Sequence, residues 1–287
     1  MSKPINECPV PKGILVVIGG KENRGDEIGD GLQNKERLEI LHTIVALTHK
    51  KDPVLEVVST ASGEAKQLFK EYVKAFSELG VKTINQIHHE TRREVMESSE
   101  KTTERIKAAD AVFFAGGYQL KLSPLDGGSD FLLQLKQRYI KEKLVVAGTS
   151  AGAMALSTPM IYAGNKEVQQ ISGEIKITTG LEFLKDVCID THFVDRSRLV
   201  RMAQVVATNP SCIGIGIEED TALVVRNGLD AEICGNGIVI VIDGQDISGS
   251  NLLEQGTGTT VSIKGLKVNI LSKGDRFTIP QTNPPHI

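Results

Sequence analysis

The chain has only four cysteines, Cys8, Cys188, Cys212 and Cys234, too widely spread to form a C-x-x-C pair. No C-x-x-C redox pair is present, and three of the four stand in apolar strand-like runs, so they are read as reduced core thiols. No apolar run reaches the length that crosses a bilayer, and Met1 to Lys12 holds no apolar stretch of the signal-peptide kind. A cytoplasmic protein with no membrane partner is expected. A net charge of -3 provides no basic field, which argues against nucleic acid as a partner. The chain lacks H-E-x-x-H and any cluster of Cys and His, and Gly19-Gly20-Lys21-Glu22 lacks the spacing and the Ser/Thr of a phosphate loop. No metal and no cofactor is expected. Pro/Ser linkers, low-complexity tracts and internal repeats are missing too, so residues 1–287 are read as a single α/β domain.

What is present is a long alternation. A hydrophobic content of 40% over 287 residues is ample for a large core. Short apolar runs at Ile14 to Ile18, Val54 to Ser59, Val81 to Ile87, Ala111 to Ala115 and Leu144 to Ala147 read as strands. Between them Lys35 to Thr48, Gly63 to Leu79, Thr91 to Ala109 and Phe131 to Lys141 read as amphipathic helices. This order predicts a doubly wound, mainly parallel sheet over a core of about residues 13–225, with ligands outside the carboxyl ends of its strands. Gly19-Gly20-Lys21, Gly116-Gly117-Tyr118-Gln119 and Ser150 all stand at such ends. After Gln204 strand-like runs dominate: Ile213 to Ile217, Thr221 to Val225, Ile238 to Ile242, Thr259 to Ile263 and Leu266 to Leu271. Residues 226–287 are therefore expected to form a β-rich extension.

Gly148-Thr149-Ser150-Ala151-Gly152 joins an apolar strand to a helical run and matches the G-x-S-x-G elbow. Small flanking residues permit a sharp turn that exposes the serine, and the helix start aims N–H groups at developing negative charge. Such a turn points to acyl transfer through a serine ester, although glycine-flanked serines also occur in ordinary turns. Of the six histidines, His42 and His49 lie on a helix, His88 and His89 end a strand, and His286 stands at the chain end. His192 ends an apolar strand, Cys188 to Phe193, before a group of arginines, and is the best candidate for the base. A carboxylate should orient it, and Glu218, Glu219 and Asp220 follow another apolar strand. The order serine, histidine, acid differs from that of the α/β-hydrolases. Arg196, Arg198 and Arg201 crowd beside His192, and guanidinium forks suit a carboxylate-rich substrate.

Together, Phe113 to Gln119, Gly148 to Ala153, Asp190 to Phe193 with its arginines, and Gly214 to Ala222 resemble the cyanophycinase family of serine exopeptidases, relatives of aspartyl dipeptidase (peptidase E). The resemblance implies a fold like that of class I glutamine amidotransferases, commonly as a homodimer. It implies hydrolysis of cyanophycin, a poly-aspartate bearing arginine on each β-carboxyl, to β-Asp-Arg dipeptides. By the same resemblance Ser150 is the nucleophile, His192 the base and Glu219 the acid, with Gly117 and Ala151 supplying oxyanion N–H groups. Gln119, Asp190, Thr191, Arg196, Arg198 and Arg201 would line the substrate pocket. Tyr118 stands where the family often has aspartate, and Thr191 where it often has glutamine, which bears on specificity. The alternatives are an aspartyl dipeptidase-like peptidase acting on short Asp-containing peptides, or a non-catalytic amidotransferase-like binding protein.

Overall fold

The computed structural model describes residues 9–25, 37–164, 175–252 and 259–280. Its first half runs β1 (Ile14–Ile18), α1 (Glu39–Leu47), β2 (Val54–Val58), α2 (Ala65–Glu78), β3 (Thr83–Ile87), α3 (Arg92–Glu97) and α4 (Ser99–Ala108). Then come β4 (Ala111–Phe114), α5 (Leu122–Asp126), α6 (Asp130–Lys141), β5 (Val145–Thr149) and α7 (Ala151–Ala155). Short strands β6 (Ser157–Thr158), β7 (Met160–Ala163), β8 (Lys176–Thr178) and β9 (Leu184–Lys185) precede β10 (Val187–Thr191) and α8 (Leu199–Thr208). The remainder is β11 (Ile213–Ile217), β12 (Thr221–Arg226), β13 (Asp230–Gly235), β14 (Val239–Asp243), β15 (Gly249–Ser250), β16 (Ile263–Lys264), β17 (Lys267–Leu271) and β18 (Arg276–Thr278).

The fold is mixed α/β. Its larger sheet has the order β18-β13-β12-β1-β5-β4-β2-β3, and β1, β5, β4, β2 and β3 are mutually parallel. Both faces of β1, β5, β4 and β2 are covered, so apart from Glu56 in β2 they read as apolar runs rather than alternating ones, while the edge strand β3, Thr-Ile-Asn-Gln-Ile, is only partly buried. In β1, Val16 and Ile18 join a core layer with α1 and α2, while Leu15 and Val17 join the layer shared with α6, α7 and the second sheet. Helix α2 shows the matching period: Ala65, Tyr72, Ala75 and Phe76 are its buried positions.

The second sheet has the order β17-β14-β11-β10-β6-β9. Its central pair β10 and β11 is parallel, with Thr191 opposite Ile217. That register brings the residues after both strands to one end of the sheet.

Three expected elements differ in detail. The helix read over Thr91 to Ala109 is two helices, broken at Ser98, whose hydroxyl donates to the Glu94 carbonyl and caps the first. Of the strand read over Thr259 to Ile263, Thr260 makes an isolated bridge and Ile263 alone lies in a strand, the two-residue β16 that pairs with β15. The strands after residue 226 are shared out: β13 and β18 extend the larger sheet, β14 and β17 the second. Among the described residues no helix is long and apolar enough to cross a membrane.

Candidate active site

Ser150 sits between the end of β5 and the start of α7 with φ 50° and ψ -114°, a conformation that L-residues rarely adopt. Strain of this kind costs on the order of 1–3 kcal/mol and survives only where the surroundings impose it. Here the surroundings are backbone. A side-chain carbon on Gly152 would lie 2.1 Å from the Phe114 carbonyl oxygen, and one on Gly148 would lie 2.7 Å from the Gly152 carbonyl carbon. Both positions therefore demand glycine.

The Ser150 Oγ lies 2.9 Å from His192 Nε2, and His192 Nδ1 lies 2.6 Å from Glu219 Oε1. With Glu219 ionised, Nδ1 carries the proton and Nε2 is left to accept from the serine. His192 follows β10 and Glu219 follows β11, so the parallel register of those strands makes their contact. Of the three neighbouring acids, Glu218 accepts from the Ile238 N–H and Asp220 from Asn23 and Asn236, which leaves Glu219 facing the imidazole.

Burial holds His192 below its ordinary pKa, against the opposing pull of Glu219. Burial acts upward on Glu219, but hydrogen bonds from Lys21 and His192 keep its carboxyl below the usual value. Lys21 Nζ stands 2.9 Å from Glu219 Oε2. The loop after β4 runs alongside the serine: a side-chain carbon on Gly116 would be 3.4 Å from Ser150 Cβ. Gly117 has φ 144°, and a side-chain carbon there would strike the Ala61 carbonyl oxygen at 2.1 Å. Ala151 opens α7, where first-turn N–H groups have no acceptor within the helix.

The six residues of the expected pocket divide into two sets. Asp190 is fully buried, with Arg198 Nη1 at 2.7 Å from its Oδ1 and Arg201 Nη2 at 2.7 Å from its Oδ2. Arg198 and Arg201 are themselves buried, and Arg198 Nη1 also donates to the Thr191 carbonyl. Thr191 is buried as well, and among the described residues its Oγ1 and the Nε of Arg198 have no hydrogen-bond partner. Arg196 is exposed, and Gln119 is partly exposed with its amide donating to the Ile161 carbonyl. Tyr118 is half exposed.

The other histidines stand elsewhere. His88 contacts Ser59, His89 contacts Ser98, His42 and His49 are exposed, and His286 lies outside the described residues. Sequence reading puts the Gly19-Gly20-Lys21 loop at the ligand end of the sheet but assigns neither Lys21 nor Glu22 a role in the site. Glu22 is buried and accepts hydrogen bonds from Thr149, the neighbour of Ser150, and from Tyr72. The one local signal was the position of Gly19-Gly20-Lys21 at a strand end. Among the described residues no group of three or more His, Cys, Asp or Glu could hold a metal ion.

Residues 28–232 match the family model described as peptidase family S51. The chain is 29% identical over 279 residues to the cyanophycinase of Synechococcus elongatus, covering 97% of this chain and 83% of that protein. It is 30% identical over 270 residues to the cyanophycinase of Nostoc sp., covering 94% of this chain and 87% of that protein. Among solved structures, a peptidase from an acI-B1 Actinobacterium superposes with a TM-score of 0.65 at 18% identity, covering 94% of this chain and 98% of that one. That likeness shows a shared fold, and the match over residues 28–232 shows the family: the chain belongs to peptidase family S51 and is a peptidase.

Proposed function

We propose that this peptidase is a serine exopeptidase that cleaves cyanophycin to β-Asp-Arg dipeptides through an acyl-enzyme on Ser150. The observation that carries the chemistry is the continuous chain from Ser150 Oγ through His192 to Glu219, at 2.9 Å and 2.6 Å. Ser150 Oγ attacks the backbone carbonyl beside the terminal dipeptide unit while His192 Nε2 takes its proton. The N–H groups of Gly117 and Ala151 receive the oxyanion. His192 then protonates the leaving amine, and a water activated by the same imidazole releases the acyl group. The cyanophycinase names of the relatives support the substrate. We take residues 1–287 to act as one peptidase unit, as a homodimer and in the cytoplasm. The free thiols of Cys188, Cys212 and Cys234 suit a reducing compartment.

Pocket roles follow exposure. We assign substrate contact to the exposed Arg196 and the partly exposed Gln119, and take Asp190, Thr191, Arg198 and Arg201, all buried, as a supporting frame. This division lends support to a second reading, an aspartyl dipeptidase-like activity on short Asp-containing peptides. With two of three arginines held by Asp190, the cationic surface available to a branched polymer is smaller. Release of β-Asp-Arg from purified cyanophycin, run beside an Asp-X dipeptide series, separates the two. Polymer cleavage with higher kcat/KM is expected; cleavage of dipeptides alone would install the second reading.

The pH profile follows from His192. The base works only when neutral, and burial lowers its pKa below the ordinary value of roughly 6.5. The acidic limb of kcat/KM is therefore expected below pH 6.5 or so. A lowered folded-state pKa also means that the unfolded chain binds the proton more readily. The stability linked to this group is full above the ordinary value and lost as pH falls through the lowered one. A limb above that ordinary value in a pH–rate series would show that a different group is the base.

A further inference from the structure

The loop that leaves β1 touches every member of the Ser150, His192 and Glu219 constellation. Its carbonyl oxygens accept the backbone N–H of Ser150 at Ile18 (3.1 Å), of His192 at Gly19 (2.8 Å) and of Asp220 at Gly20 (2.9 Å). Two of its side chains also return to the site. Lys21 reaches Glu219 Oε2, and the Glu22 carboxylate accepts from Thr149, which precedes the serine. Gly20 packs against the imidazole, since a side-chain carbon there would strike His192 Cε1.

Two successive left-handed residues, Gly20 at φ 103° and Lys21 at φ 45°, fold the loop back over the site. Lys21 adopts this conformation at a cost that its neighbours must offset. Glu22 then enters the core at 4% exposure, where Tyr72 donates to its Oε1 at 2.6 Å. Burial raises the Tyr72 hydroxyl pKa well above its ordinary value, which keeps it a donor. A buried carboxylate with hydroxyl donors on both oxygens is a rigid anchor.

We propose that Lys21 and Glu22 are positioning residues of the triad, Lys21 locking Glu219 against His192 and Glu22 locking the strand end that presents Ser150. The proposal rests on the reading of Ser150, His192 and Glu219 as that triad. Glu219 has one oxygen on His192 and the other on Lys21, so its carboxylate cannot rotate without breaking one of the two contacts. The ammonium also draws on the negative charge that His192 feels. Without it Glu219 favours the imidazolium more strongly, and the base titrates at higher pH.

The test is the rate at which diisopropyl fluorophosphate phosphorylates Ser150, measured against pH and normalised to folded protein. It needs no knowledge of the substrate. In Lys21→Met we expect a rate about fivefold lower near neutral pH and an acidic limb moved to higher pH, with Lys21→Arg restoring both. In Glu22→Gln we expect a loss of about tenfold with the limb unmoved. A Lys21→Met protein with native rate and native limb overturns the role of Lys21. A Glu22→Gln protein whose normalised rate equals the native one overturns that of Glu22, whatever its melting temperature. Failure of the native protein to label at Ser150, with label found elsewhere or nowhere, overturns the triad reading and this inference with it.

Discussion

Replacing Ser150 with alanine is expected to lower kcat by about 10⁴-fold or more while leaving the melting temperature close to native. The size follows from the unit formed by serine, imidazole and carboxylate: without Oγ, His192 has no proton to take and no acyl-enzyme forms. The oxyanion donors remain, so a residual rate above that of water persists. The fold should survive because the hydroxyl's bond is to His192, while the backbone N–H of residue 150 keeps its bond to the Ile18 carbonyl. Alanine bears the same cost as serine at φ 50°. Turnover of peptide substrate beside a thermal melt checks both halves. A rate within tenfold of native would place the nucleophile on another residue.

Replacing Asp190 with alanine is expected to be the most damaging change to stability, about 3–5 kcal/mol. In a chain of this size such a loss lowers the melting temperature by about 10 °C. The carboxylate is wholly buried, and it receives Arg198 on one oxygen and Arg201 on both. Two buried guanidinium groups would then lose the carboxylate they share. Burial already lowers the pKa of Arg198, so even with Asp190 present desolvation weighs on that charge. Because His192 lies two residues beyond Asp190 on the same chain segment, activity should fall with stability. Thermal melts of the native and Asp190→Ala proteins decide the matter. A shift of only a degree or two would mean that water and ligand reach the cluster. The two arginines would then be open to substrate carboxylates.

The parallel core was legible because a strand buried on both faces must be apolar throughout, and a surface helix must repeat every 3.6 residues. Val145–Thr149 followed by a serine between glycines likewise marks the elbow, since only glycine lets Phe114 and α7 approach so closely. Local rules reached less far elsewhere. The break at Ser98 depends on a hydroxyl choosing a carbonyl over solvent, which periodicity does not register. Among Glu218, Glu219 and Asp220 the sequence offers three carboxylates of one chemistry, and the alignment of β10 with β11 turns Glu219 to His192.

The arginines show the same division. The sequence groups Arg196, Arg198 and Arg201 beside His192, but burial around Asp190 sets Arg198 and Arg201 apart from the exposed Arg196. By itself the sequence determined the strand and helix order, the sharp turn at Ser150 and a short roster of polar groups near it, because these rest on local sterics and hydrophobic period. The tertiary structure alone decided which acid meets His192, which arginines are buried and that Lys21 and Glu22 reach the site. Those contacts join segments far apart in the chain, and only sheet register and burial bring such segments within hydrogen-bond distance.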